Sequence, residues 1–131
     1  MKEIIEFIKK TPKDELHLDI EGTLEPDILI KLAKRNNIQI PFANVNEVKS
    51  AYNFSNLESF LSIFYQGSKV LIKEQDFFDL TWAYTLKCKE ENIVHTEVFF
   101  DPQTHVNRGV KFGLVINGMH KALLQANKEF G

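Results

Sequence analysis

The segment Glu15-Leu16-His17-Leu18-Asp19-Ile20-Glu21 holds the side chains best suited to chemistry, with an imidazole at 17 and carboxylates at 15, 19 and 21. Residues i and i+2 of a strand project to the same side, so His17 and Asp19 can converge on one ion. Imidazole nitrogen and carboxylate oxygen are both ordinary zinc ligands. A solvent-exposed strand face carries the same alternation, so spacing alone leaves metal binding and plain surface polarity both open. Phe60 and Phe64, four apart on a helix, can equally pack as core or line an apolar pocket that takes a flat ring. His105 and His120 read as structural or exposed, and His95, inside an apolar run, reads as packed. Cys88 has no cationic neighbour in the sequence to activate its thiol.

The elements that must position these residues follow from periodicity. Residues 2–10 suit a short amphipathic helix through Ile4, Ile5 and Ile8, stopped by Thr11-Pro12. Strict alternation over residues 15–20 predicts a strand with Leu16, Leu18 and Ile20 on one face and Glu15, His17 and Asp19 on the other. A helix follows with Thr23 as its cap and Pro26 in its first turn. Asn44–Glu47 and Ser55–Glu58 fit capping boxes for two further helices, about 45–52 and one carrying Leu57, Phe60, Leu61 and Phe64. Asp76 is the expected cap of a helix over about 77–90. Ile93–Phe100, rich in β-branched and aromatic residues, predicts a second strand that is almost fully buried. A last helix spans about 110–128. Phe77, Phe78, Trp82 and Phe112 are expected core. Two strands separated by helices favour a parallel pair in an α/β fold.

The stretch Pro12-Lys13-Asp14-Glu15-Leu16-His17-Leu18-Asp19-Ile20-Glu21-Gly22 resembles the opening of the adenosine and adenine deaminases. Their first barrel strand reads Pro-Lys-x-Glu-Leu-His-x-His, then a hydrophobic residue, Asp or Glu, and Gly. Leu57-Glu58-Ser59-Phe60-Leu61 with Phe64 is similar to the helix that gates their purine pocket. Glu97-Val98-Phe99-Phe100-Asp101-Pro102-Gln103-Thr104-His105 looks like the end of the second strand in the adenine deaminase subgroup, and Glu21 in place of the usual Asp points the same way. The resemblance implies a (β/α)8 barrel of which this chain is the N-terminal third to half, a single domain over residues 1–131 with two parallel strands and about five to six helices. It implies a zinc ion that lowers the pKa of a bound water from 15.7 to about 7, for hydrolytic attack on C6 of a purine. His17 then matches the first metal ligand, and Asp19 stands where the family has a second histidine. Glu21 faces the substrate near N9 or its sugar, and Phe60 and Phe64 line the pocket. The family's remaining metal ligands and its proton-shuttling glutamate lie later in the chain, so no catalytic residue is expected among these 131 and the chain alone is expected to be inactive.

Composition bounds the alternatives. Sixteen Lys+Arg against eighteen Asp+Glu give a net charge of −2, which argues against a nucleic-acid or anionic-membrane binder. No run reaches the roughly 18 apolar residues of a membrane span, and the charged N-terminus is unlike a signal peptide, so the expected compartment is the cytoplasm. The leading expectation is the deamination of adenine, with adenosine as the alternative substrate. Two readings of another class are a non-catalytic remnant and an interaction module whose open sheet edge takes a second copy or a complementing C-terminal fragment.

Overall fold

The computed structural model describes residues 1–131. In chain order the elements are α1 (Lys2–Lys10), β1 (Lys13–Asp19), a short 3-10 turn (Ile20–Thr23), α2 (Pro26–Asn36), α3 (Val45–Ala51), α4 (Leu57–Ser68), α5 (Glu74–Glu90), β2 (Ile93–Phe99), α6 (Pro102–Val106) and α7 (Phe112–Phe130). The two strands pair in parallel as a two-stranded sheet, as expected. There are seven α-helices against the five to six expected. The extra one is α6, opened by Pro102 and capped by the Asp101 side chain on the Thr104 amide, where a plain strand end was expected.

Strict alternation fails in β1, and the cause is one residue. His17 sits in the left-handed region at φ 59. Glu15 pairs with Thr96 but Leu18 pairs with Val98, so β1 carries an extra residue in a bulge. Before the bulge the half-buried positions are Lys13 and Glu15; after it the buried side passes to Leu18 and Ile20. Leu16 is therefore 59% exposed rather than sharing a face with Leu18 and Ile20. Glu15 leaves the face of His17 and Asp19 for the helix side, where it accepts the Tyr84 hydroxyl at 2.5 Å. A second offset, Lys13 opposite Ile93 and Asp14 opposite His95, leaves Val94 as the extra residue of β2 and restores the overall register.

The second strand is half-covered, not buried. Ile93, Thr96 and Val98 face α5, whereas Val94 is 64% exposed and His95, Glu97 and Phe99 are exposed with it. A sheet of two strands has helices over one face only, so the β-branched run meets solvent on the other.

The core lies between the helix side of the sheet and α2, α5 and α7, around Ile20, Leu29, Leu32, Phe77, Leu80 and Val115. The α5 and α7 helices cross closely at Gly118, where an added Cβ would collide with the Glu74 carbonyl oxygen. Phe77 is fully buried as expected, and Trp82 is half-buried, stacked between Phe78 and Phe130 at 6.3 and 5.5 Å. Phe112, expected in the core, opens α7 at 53% exposure, its ring tilted against Phe100 at 5.8 Å.

Helix starts shift from their sequence positions by the rule that a side chain caps the amide it can reach. Asn56, not Ser55, caps α4, with Ser59 returning the bond to the Asn56 amide. Asp76 lies in the first turn of α5, not before it, and accepts the Lys73 amide at 2.8 Å. Thr23 belongs to the 3-10 turn, and α2 starts at Pro26. The α1 helix forms as expected but buries none of its residues.

Candidate functional site

The C-terminal end of β1 runs straight into the 3-10 turn, which carries Glu21 out of the sheet and under the start of α6. Its side chain is buried, and one oxygen holds all its bonds. Oε1 accepts the Asp101 amide at 2.9 Å and pairs with His105 Nε2 at 2.7 Å. Oε2 is buried with no hydrogen-bond partner. A carboxylate oxygen in that state costs free energy.

Glu21 lines a cavity of about 100 Å³ together with Gly22, Leu24, Tyr52, Phe54, Phe60, Ile63, Phe64 and Gly67. Phe60 lies edge-on to Phe54 at 5.1 Å and tilted against Phe64 at 6.1 Å, which makes one wall aromatic. Phe60 remains 38% exposed, at the rim. The Tyr52 hydroxyl donates to the Leu24 carbonyl at 2.6 Å, and burial, with the nearby Glu25 charge, pushes its pKa up to about 12, so it stays a neutral phenol. Glu21, Phe60 and Phe64, drawn from two distant parts of the sequence, thus meet at one apolar pocket with one carboxylate on its wall.

His17 and Asp19 lie elsewhere on the same end of the sheet. Both are exposed; the His17 ring lies 4.7 Å from that of Phe99, and Asp19 is the register partner of Phe99. The left-handed backbone at His17 costs on the order of 1–2 kcal/mol for a residue with a Cβ. No group of three or more His, Cys, Asp and Glu side chains comes together anywhere in the chain. Zinc sites close with three or four protein ligands. The donor types therefore suit zinc, but two donors do not make its site, and His105 is committed to Glu21. His95 is exposed and lies outside both groups, as does His120.

Two remaining candidates are silent. Cys88 is buried and its thiol is pushed up by burial. Tyr84 joins Glu15 and Thr96 beneath the sheet, and burial raises its hydroxyl well above the usual phenol range. Sequence reasoning missed Arg108 and the Asp101 amide. Arg108 stands three residues after His105, the spacing at which side chains meet on one helical face, and that was the available signal.

With this geometry in place, the comparisons define the class. The adenosine deaminase family model matches residues 12–131, and the chain belongs to that family. Within it, the chain is similar to adenine deaminases: 55% identical over 98% of its length to that of Psychrobacter cryohalolentis and 56% identical over its whole length to that of Wolinella succinogenes. It spans only 39% and 40% of the lengths of those two relatives. The crystal structure of an adenine deaminase from Arthrobacter aurescens superposes with a TM-score of 0.87 at 42% identity, covering 92% of this chain and 37% of that one. An amidohydrolase from Burkholderia ambifaria, solved with zinc bound, shares the fold at a TM-score of 0.82 and 21% identity, covering 96% of this chain and 35% of its own. No helix is long and apolar enough to cross a membrane.

Proposed function

We propose that residues 1–131 form one domain that supplies the base-binding wall of a zinc-dependent adenine deaminase, which hydrolyses adenine to hypoxanthine and ammonia. The observation that carries this reading is the meeting of Glu21, Phe60 and Phe64 at one cavity, with the Glu21 Oε2 atom unpartnered. Phe60 and Phe64 take the faces of a flat ring, and the carboxylate oxygen accepts an N–H from the purine near N9. A small heteroaromatic base suits such a pocket better than a charged polymer does, in keeping with the net charge of −2.

His17 and Asp19 are the proposed contribution to the metal shell. When bound, zinc supplies a hydroxide at neutral pH. Holding it takes donors beyond these two, so no turnover is assigned to this chain by itself. Asp19 offers a shorter, negatively charged arm in place of an imidazole, which disfavours hydroxide formation. The similarity to bacterial adenine deaminases and the absence of any membrane-spanning helix support a cytoplasmic setting.

Amide chemical shifts recorded during titration with adenine and then adenosine test the reading. Adenine is expected to move Glu21, Phe60, Phe64 and Gly67, and adenosine to move them less. Stronger binding of adenosine at the same amides would transfer the site to the nucleoside. Silence from both ligands would remove the purine reading, and ammonia release from adenine by this chain alone would overturn its inactivity.

A further inference from the structure

We infer that Arg108 and His105 act as a relay of positioning residues, which decides which Glu21 oxygen is held and which is left free for a ligand of the adjoining cavity. The identity of the ligand as a purine base rests on the reading above; the relay itself rests on the geometry of this chain.

A guanidinium has only donors and does not lose its proton in proteins. Arg108 Nη2 lies 2.9 Å from His105 Nδ1, so Nδ1 accepts. The single proton of the neutral imidazole is then on Nε2, and it donates to Glu21 Oε1 at 2.7 Å. The Asp101 amide adds a second donor to that same oxygen at 2.9 Å. With two donors gathered on Oε1, the carboxylate cannot turn without breaking both, and Oε2 stays buried without a partner, on a residue that lines the cavity.

The relay is itself anchored. Arg108 Nε donates to the Thr104 carbonyl at 3.2 Å and Nη2 to the Leu71 carbonyl at 3.0 Å, tying α6 to the loop between α4 and α5. The edge of the Phe77 ring meets the His105 ring at 4.9 Å and 86°, which holds the imidazole plane. Without Arg108 the second imidazole tautomer becomes available. It would set a lone pair on Nε2 against Oε1, two acceptors face to face, and the carboxylate would rotate away from that contact. A purely structural histidine would need its ring volume; this one needs a defined proton.

Nitrogen NMR of the histidine rings in the full 131-residue chain, combined with adenine titration, tests this. Wild-type protein should show His105 as the Nε2–H tautomer. Arg108→Ala should mix the tautomers and weaken adenine about tenfold, the size of one lost hydrogen bond to a charged group. Arg108→Lys, which keeps a donor-only cation, should restore both. A wild-type His105 protonated on Nδ1 overturns the relay. So does an Arg108→Ala protein, folded by its melting curve, in which either the tautomer or the adenine affinity is unchanged. If wild-type chain binds no adenine while the tautomer responds to Arg108 as stated, the purine reading fails and the proton relay stands.

Discussion

Two carboxylates lie buried in this chain, and they are built in opposite ways. Asp76, in the first turn of α5, has both of its oxygens answered. Arg35 pairs with Oδ1, while Oδ2 accepts the Ile72 and Lys73 amides at 2.9 and 2.8 Å and the Asn36 side chain at 2.7 Å. Burial by itself would raise the Asp76 pKa; the amides of Lys73 and Ile72, with Arg35 and Asn36, outweigh it and hold the carboxyl below its ordinary range. Glu21 has equal burial and half the answer, two donors on one oxygen and none on the other. A saturated carboxylate fastens elements together, here α2 to α5. A half-saturated one beside an aromatic cavity leaves one acceptor without a partner in the chain.

The contrast can be broken or sharpened by substitution. The largest effect is expected from Asp76→Asn. Both oxygens face only donors, so an amide NH2 must oppose one of them, and urea denaturation should show a loss of about 3 kcal/mol. The same variant should flatten the acid limb of stability against pH. The lowered Asp76 pKa contributes stability that is fully present above the ordinary aspartate range and disappears as pH falls through the folded value. A stability loss as small as that of a surface residue would contradict the fastening role.

Glu21→Gln should behave differently. Its carbonyl can keep the Asp101 and His105 donors while its NH2 takes the empty side, so stability should change by about 1 kcal/mol or less. Adenine affinity, followed by the same amide shifts, should drop about tenfold because the free acceptor has become a donor. Equal destabilisation by Glu21→Gln and Asp76→Asn would erase the distinction between the two sites.

His17→Gly is next in size. It relieves the left-handed backbone and should raise the unfolding free energy, measured in urea, by roughly 1 kcal/mol. A destabilised His17→Gly protein would mean the ring's packing on Phe99 matters more than the backbone strain. Phe60→Ala should be the mildest, costing about 0.5–1 kcal/mol because the ring is already partly exposed, yet it should weaken adenine binding by removing the central ring of the aromatic wall.

Much of the fold was legible because it depends on local pattern. The helices over Phe60/Phe64 and Phe77/Leu80 follow from apolar spacing, and the parallel strand pair follows from two strand patterns separated by helices. The resemblance of the 12–22 stretch pointed to the family that the match over residues 12–131 then showed. What local pattern missed was each place where a neighbour in space changed the outcome. Alternation in β1 counted Leu16 inward and Glu15 beside His17, because a one-residue bulge reverses the phase and leaves no mark in composition. The apolar run of β2 suggested full burial, yet burial depends on how many layers cover a strand, and only one face is covered here.

Amino-acid order alone determined which residues carry acid, base and aromatic chemistry, and which segments coil or extend, since these are properties of side chains and near neighbours. Tertiary structure alone decided that Glu21 would meet His105, 84 positions away, and that Arg108 would set the proton between them. Hydrogen bonds of that kind depend on directions and distances fixed to tenths of an ångström, and those arise only when the whole chain has closed around them.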